Sequence, residues 1–471
     1  MNNNLWILTE ERPKKEVILA ILKKFFNDYN LVVFIDNLRI IPVLDNNNFT
    51  FTYQLIGCTC NQINKIYIKS ISGYSSFVDF LIFYQENEPN DKDKPIYIIE
   101  ETKTDDKESR NTGVYQRCIK FIFAENYYPN VKKIMLYNLQ IEQKEKPTET
   151  YIFGTRLLLT LNVEIIGKKL DPEIFKPFNS IAEILSFKAS MRKAPTGNIP
   201  ISINKILENK IEVSGRLFKA GRIGHDPNIG ALSLICGVLR HLGWQDEIKI
   251  TQHGLLQIHV KNNAKDKFLQ VANKLNLLLD NIEIPKINMN EKYWHYETEG
   301  EKLGTIFVHL VVENFSCGQS IFENHAGCEK GYFIPREGQP ISLAKYKDRE
   351  LYKKGDKNQI IHIPDLILID FDNNEVINIE GKIYSLRKKA IQELNNYDFI
   401  EENYIKKYYS DFKIIRTVVL YGSNEENIIE IEVGFLLNKN GKLILGVKAP
   451  DIFKLSIKNL LDFWSSTDIE L

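Results

Sequence analysis

Asp365, Glu380 and Lys382 are the residues of this chain best spaced for hydrolytic chemistry. Asp365 follows Pro364 at the head of the apolar run LILIDF, and Glu380 and Lys382 lie two apart in EVINIEGKIY. Alternate side chains of a strand share a face, so Glu380 and Lys382 point together and Gly381 points away. The segment Asp372-Asn373-Asn374 reads as a tight turn joining the two runs, which brings Asp365 towards Glu380. Two carboxylates this close repel unless a proton or a cation compensates. With a backbone carbonyl they form an oxygen-rich site for a hard cation, above all Mg²⁺. Such a cation acidifies a water and polarises a phosphoryl oxygen, and an ammonium beside it stabilises the charge that develops. The chemistry these residues suit is hydrolysis of a phosphodiester.

The pattern Asp365-x14-Glu380-x-Lys382, with a proline before the aspartate, resembles the PD-(D/E)XK nuclease superfamily, and within it the type II restriction endonucleases. The resemblance covers about residues 350–425. It implies a mixed sheet flanked by helices, metal ligands on a central β-hairpin, Mg²⁺ as cofactor and double-stranded DNA as substrate. It also implies a cognate DNA methyltransferase encoded separately.

A second copy of the pattern lies in the N-terminal half as Asp79-x21-Glu101-x-Lys103, with Val78 in place of the proline. Asp79 and Glu101 are the expected metal ligands there, and Lys103 the expected ammonium. Glu100 is adjacent and is expected to face the other way. A helix follows, and by the resemblance it borders the metal site, which makes Gln116 and Arg117 candidate DNA contacts. No histidine precedes His225, so this half has no histidine chemistry available. Members of the superfamily often add an acid from a preceding helix. Glu16 is the candidate in the first half, and Glu313 or Glu323 in the second.

The elements that must hold these residues repeat as well. Each half reads as strand, strand, helix, strand, which implies an α/β fold with a mixed sheet. KIMLYN (133–138) matches TVVLYG (417–422). IIGKKLDPEIFK (165–176) matches ILGVKAPDIFK (444–454) with one residue deleted, and an apolar helical run follows each. Similar words in the same order point to an internal duplication. The expected organisation is two restriction-endonuclease-like mixed sheets flanked by helices, 1–194 and 296–471, joined by a small α+β domain, 195–295. In that domain Asp226, Pro227 and Gly243 mark a helix over about 227–242. Lys219, Arg222, His225 and Asn228, at its N-terminal end, are candidate phosphate contacts.

Two unequal nuclease units in one chain suit an asymmetric site, each half cutting one strand of the duplex. The alternatives are a restriction or repair nuclease with one active site, whose other half serves recognition, and a DNA-binding protein that does not cleave. The chain is expected to act as a monomer or homodimer.

Composition limits these readings. The chain has 471 residues, 61 basic and 61 acidic, so no overall positive field draws it to nucleic acid. Basic residues would have to line a cleft. Six cysteines in a chain of this length do not suggest a disulfide framework, and Cys58 and Cys60 read as structural. No apolar run reaches the length of a membrane span. The first residues lack a basic segment leading into an apolar one, so a cytoplasmic location is expected. No phosphate-binding loop ending in Gly-Lys-Ser/Thr is present, so nucleotide-driven translocation is not expected.

Overall fold

The computed structural model describes residues 3–45, 48–73, 77–102, 113–137, 147–191, 201–219, 222–223, 227–262, 266–286, 292–298, 300–325, 327–423, 434–437, 441–446 and 448–466. The protein is mixed α/β with several mixed sheets. It forms two compact units. One, here the Asp79 unit, comprises Leu5–Glu10 and Ile71–His295; the other, the Asp365 unit, comprises Met1–Asn4, Glu11–Ser70 and Tyr296–Leu471. These boundaries depart from three consecutive domains at 1–194, 195–295 and 296–471. The reason lies in helix packing inside the Asp79 unit. Helices α1 (Gly113–Ala124) and α2 (Pro227–His241) approach so closely that a Cβ on Gly237 would meet Ile122 Cδ1 at 2.5 Å. The segment after residue 200 therefore shares a core with the first half.

In the Asp79 unit the strands β1 (Phe80–Gln85), β2 (Tyr97–Thr102), β3 (Lys132–Tyr137) and β4 (Val163–Ile166) lie side by side, and residues 5–9 flank β1. β1 and β2 are an antiparallel pair, and β3 and β4 add in parallel through helical crossovers. All six residues of β2 are buried, as befits a strand with neighbours on both edges and helices on its faces.

The Asp365 unit repeats this order. β5 (Gln319–Glu323) pairs antiparallel with β6 (Leu366–Asp370), β6 antiparallel with β7 (Glu375–Ile383), and β7 parallel with β8 (Lys413–Tyr421). The strand Phe435–Leu437 adds in parallel to β8. The turn between β6 and β7 is fixed by the Asp370 carboxylate, which accepts from the Asp372 and Asn373 amides at 3.0 and 3.3 Å, with Asn374 at φ 51°. One further contact matches in the two units. The Glu10 amide donates to the Asp79 carbonyl at 3.2 Å, and the Asn324 amide donates to the Asp365 carbonyl at 2.7 Å.

The repeated words do not all fall on equivalent places. Ladder pairing puts Met135 beside Glu100 and Val418 beside Glu380. The match of 133–138 with 417–422 is therefore displaced by one residue, which apolar strands of similar composition conceal. The second match fails. Ile165 lies on a strand parallel to β3, whereas the strand Leu443–Leu445 is antiparallel to Phe435–Leu437.

Helices cover both faces of the sheet in the Asp365 unit. On one face Ile367, Ile369 and Val376 pack with Ile400 and Ile405, and Val418 and Leu420 pack with Ala390, Leu394 and Tyr397. On the other lies α3 (Glu301–Phe315), where a Cβ on Gly304 would sit 3.1 Å from Val419 Cγ1. Among the described residues no helix is long and apolar enough to cross a membrane.

Candidate functional site

The β6–β7 register determines what Asp365 faces. Leu366 pairs with Ile379, so Asp365, one residue earlier, lies across from Glu380. The Asp365 amide donates to the Ile379 carbonyl at 3.1 Å, and Asp365 Oδ2 accepts from the Gly381 amide at 2.8 Å. Lys382, two residues beyond Glu380, lies on the same face. Its Nζ donates to Glu380 Oε1 and, at 3.0 Å, to the Gly381 carbonyl. The structure thus brings Asp365, Glu380 and Lys382 together.

Two residues absent from the expected set complete this centre. Glu393, at the end of α4 (Arg387–Glu393), places Oε2 3.4 Å from Lys382 Nζ. Tyr397, one turn further on, donates its hydroxyl to Glu380 Oε2. Burial raises the Glu380 carboxyl above its usual range, against the pull of Lys382 and Tyr397, and its hydrogen bond with Glu393 adds to the rise. Burial and the Glu380 charge push the Tyr397 hydroxyl far up, which keeps it a donor. Among the described residues three acids thus face one lysine, and Asp365 and Lys382 are each half-buried. An excess of acid on a partly open face favours a hard divalent cation. Asp365, Glu380 and the Gly381 carbonyl are the oxygens that could hold one. The sequence signal for Glu393 and Tyr397 is their i, i+4 spacing on the helical segment after β7.

The Asp79 centre is arranged differently. Phe80 pairs with Ile99, so the residue across from Asp79 is Glu100. Glu101 lies on the other face and contributes its amide, which donates to Asp79 Oδ2 at 2.7 Å. This corrects the expectation that Glu101 is the second carboxylate and that Glu100 turns away. The expected Glu-x-Lys spacing set the wrong register. Lys103 lies outside the described residues, and Thr102 holds the place that Lys382 has in the other unit.

The ammonium here comes from a helix. Lys120 Nζ on α1 lies 3.1 Å from Asp79 Oδ1 and 2.9 Å from Glu100 Oε2. Arg117, one turn earlier, donates to Glu100 Oε1 at 2.9 Å and to the Glu101 carbonyl, with Asp79 Oδ2 at 3.7 Å. Arg117 follows Glu100 by the same seventeen residues that separate Tyr397 from Glu380. Arg117 was expected at DNA and instead sits on the acid pair. Glu100 is fully buried, and burial together with Asp79 pushes its carboxyl up to about 7, despite Lys120 and Arg117. Against burial, Asp79 and Glu100 hold the Lys120 ammonium above its usual range. Lys267 also approaches, held below its usual range by burial and by Lys120. Among the described residues two acids thus face two cations, with a third cation nearby.

The remaining expected contacts are described only in part. Gln116 lies on α1, but its side chain is outside the described residues, and Lys219 and Arg222 are described only as backbone of the pair 218–219 and 222–223. His225 lies outside the described residues. Asn228 donates to the Arg216 carbonyl at 3.1 Å, and Leu232, Leu234, Ile235, Val238 and Leu239 bury most of α2. Of the additional acids considered, Glu313 and Glu323 both bind Arg12, at 2.8 and 2.7 Å. Glu323 pairs with Leu366, which places it on the sheet face opposite Asp365.

No family model, curated protein or solved structure matches the chain.

Proposed function

We propose that this chain is a Mg²⁺-dependent endonuclease of double-stranded DNA, with a restriction-endonuclease-like fold and Asp365, Glu380 and Lys382 as its working centre. The observation that carries this reading is the pairing of Asp365 with Glu380 across one hairpin, with Lys382 on the same strand face and acid in excess. Asp365, Glu380 and the Gly381 carbonyl would hold the cation. When bound, it supplies Lewis-acid polarisation of a phosphoryl oxygen and a more acidic water. The chain's own groups do the rest. Tyr397 holds the Glu380 carboxylate in place, Glu393 steadies Lys382, and Lys382 stabilises charge that builds on the phosphate. Within this activity, cutting at a specific site and a protective methyltransferase encoded nearby belong to the restriction-enzyme resemblance. The Asp79 unit then serves recognition or architecture.

A second reading lets both halves cut, one strand each. It is favoured by Lys120, which supplies an ammonium to the Asp79–Glu100 pair where the strand lysine is replaced. The electrostatics favour the first reading, because a buried pair already neutralised by two cations attracts a divalent ion weakly.

The test is cleavage of mixed-sequence linear DNA by the purified chain with Mg²⁺, with chelator, and with Glu380→Gln. The proposal expects discrete fragments that need Mg²⁺ and Glu380. A smear would keep the nuclease and remove site specificity. Retardation of DNA without any cutting would overturn the reading and leave a binding protein.

A further inference from the structure

On the face of the sheet away from Asp365, α3 and the end of β5 gather a second set of metal-ligating side chains. His309, Glu323 and His325 each offer one donor atom, and the three atoms lie within 4.8 Å of one another. His309 Nδ1 is 2.9 Å from His325 Nε2 and 3.7 Å from Glu323 Oε2.

Thr305 Oγ1 lies 3.1 Å from the Lys302 carbonyl, to which it donates, and 3.0 Å from His325 Nδ1. With the proton of a neutral His325 on Nδ1, its Nε2 accepts from His309 Nδ1. His309 has no exposed surface. Two imidazole nitrogens therefore face each other over a gap that one proton or one cation can occupy. His309 Nε2 is buried without a hydrogen-bond partner. Moving the His309 proton there when Nδ1 takes a cation leaves the number of unpartnered atoms unchanged. Glu323 Oε2 accepts from Arg12 Nε at 2.7 Å and its Oε1 lies 2.5 Å from Lys14 Nζ, so a cation in the gap has to displace one of these ion pairs. Thr305 supplies the outer hydrogen bond that orients a ligating imidazole.

We propose that His309, His325 and Glu323 bind one divalent cation of the zinc class, tying α3 to the end of β5. Two imidazoles and one carboxylate suit such a borderline ion better than Mg²⁺, which prefers oxygen alone. Another close group, Cys317, Asp370 and Asp372, is committed elsewhere. The Cys317 thiol donates to Asp372, and Asp370 binds the turn amides. The inference does not depend on the nuclease reading, since none of its ligands belongs to the Asp365 centre.

The test is titration of the chelator-stripped full chain with Co²⁺, followed by visible absorption, with excess Mg²⁺ to occupy oxygen sites and Zn²⁺ as competitor. One equivalent of Co²⁺ displaced by Zn²⁺ is expected. Binding should be lost in His325→Gln and weakened about 10- to 100-fold in Thr305→Val. Thermal melting and circular dichroism report whether each variant keeps its fold. His325 is half-buried rather than core, and Thr305→Val alters one hydroxyl, so at least one folded variant provides the comparison. A wild-type chain that binds no Co²⁺, or folded variants that bind it as tightly as wild type, would overturn the proposal.

Discussion

In the Asp365 centre the lysine stands on the strand that carries the glutamate, whereas in the Asp79 centre both cations come from the following helix. The hairpins are otherwise alike. Each places an aspartate across from a glutamate, and each aspartate accepts from the amide after that glutamate, at 2.8 Å from Gly381 and 2.7 Å from Glu101. The difference in cation supply changes the charge. Among the described residues, three acids against one lysine leave an excess of negative charge. Two acids locked to Lys120 and Arg117 do not. Burial does not separate the two centres, since Glu100 and Glu380 are both buried and Lys382, Lys120 and Arg117 are all partly exposed. One hairpin design thus carries two different arrangements of charge.

Substitutions that separate stability from activity test this contrast. Lys120→Met leaves two buried carboxylates short of a partner, and should cost about 3–5 kcal/mol of stability. Chemical denaturation measures it, and a loss under 1 kcal/mol, on the order of a surface pair, would remove the structural role. Lys382→Ala should lower the cleavage rate about 10²- to 10³-fold, as expected for removing one group that stabilises developing charge. Its effect on the denaturation midpoint should be smaller than that of Lys120→Met. The reverse ranking of the two lysines would invert the comparison.

Two pH dependences follow with smaller effects. The Glu100 carboxyl is raised from an ordinary 4.5 to about 7. The native state therefore binds more protons than the unfolded state between those values. Its contribution to stability is fully present below about 4.5 and falls as pH rises through about 7. Wild type should lose stability over that window relative to Glu100→Gln, and parallel curves would show that Glu100 titrates normally. Glu380 is also raised above 4.5, by burial. Metal binding needs its anion, so Mg²⁺-dependent cleavage should fade on acidification while the pH is still above 4.5. At sub-saturating Mg²⁺, activity that persists undiminished down to 4.5 would place Glu380 outside the metal site.

The Asp365 centre is the more legible of the two in the sequence. Its three expected residues lie on one hairpin, and a turn with Asp370, Asn373 and Asn374 fixes the register. The order of strands and the helix over 227–241, closed by Gly243 at φ 92°, are legible for the same local reason. The Asp79 centre is harder to read because eleven residues separate β1 from β2 and two acids sit side by side. Spacing alone cannot tell Glu100 from Glu101, and a one-residue slip turns every side chain to the other face. Lys120 and Tyr397 reach their acids from helices, through tertiary packing that no strand pattern encodes. The domain boundaries are hidden for a similar reason. Gly237 reads as an ordinary helix residue, yet its missing side chain lets α1 and α2 meet.

The central claim is that the Asp365 centre works and the Asp79 centre does not, and conversion of supercoiled plasmid by Asp365→Asn and Asp79→Asn tests it most directly. With Mg²⁺ present, Asp365→Asn should yield neither nicked nor linear DNA, and Asp79→Asn should still cut. A folded Asp365→Asn protein that nicks one strand would contradict the account and give the Asp79 centre a catalytic role of its own.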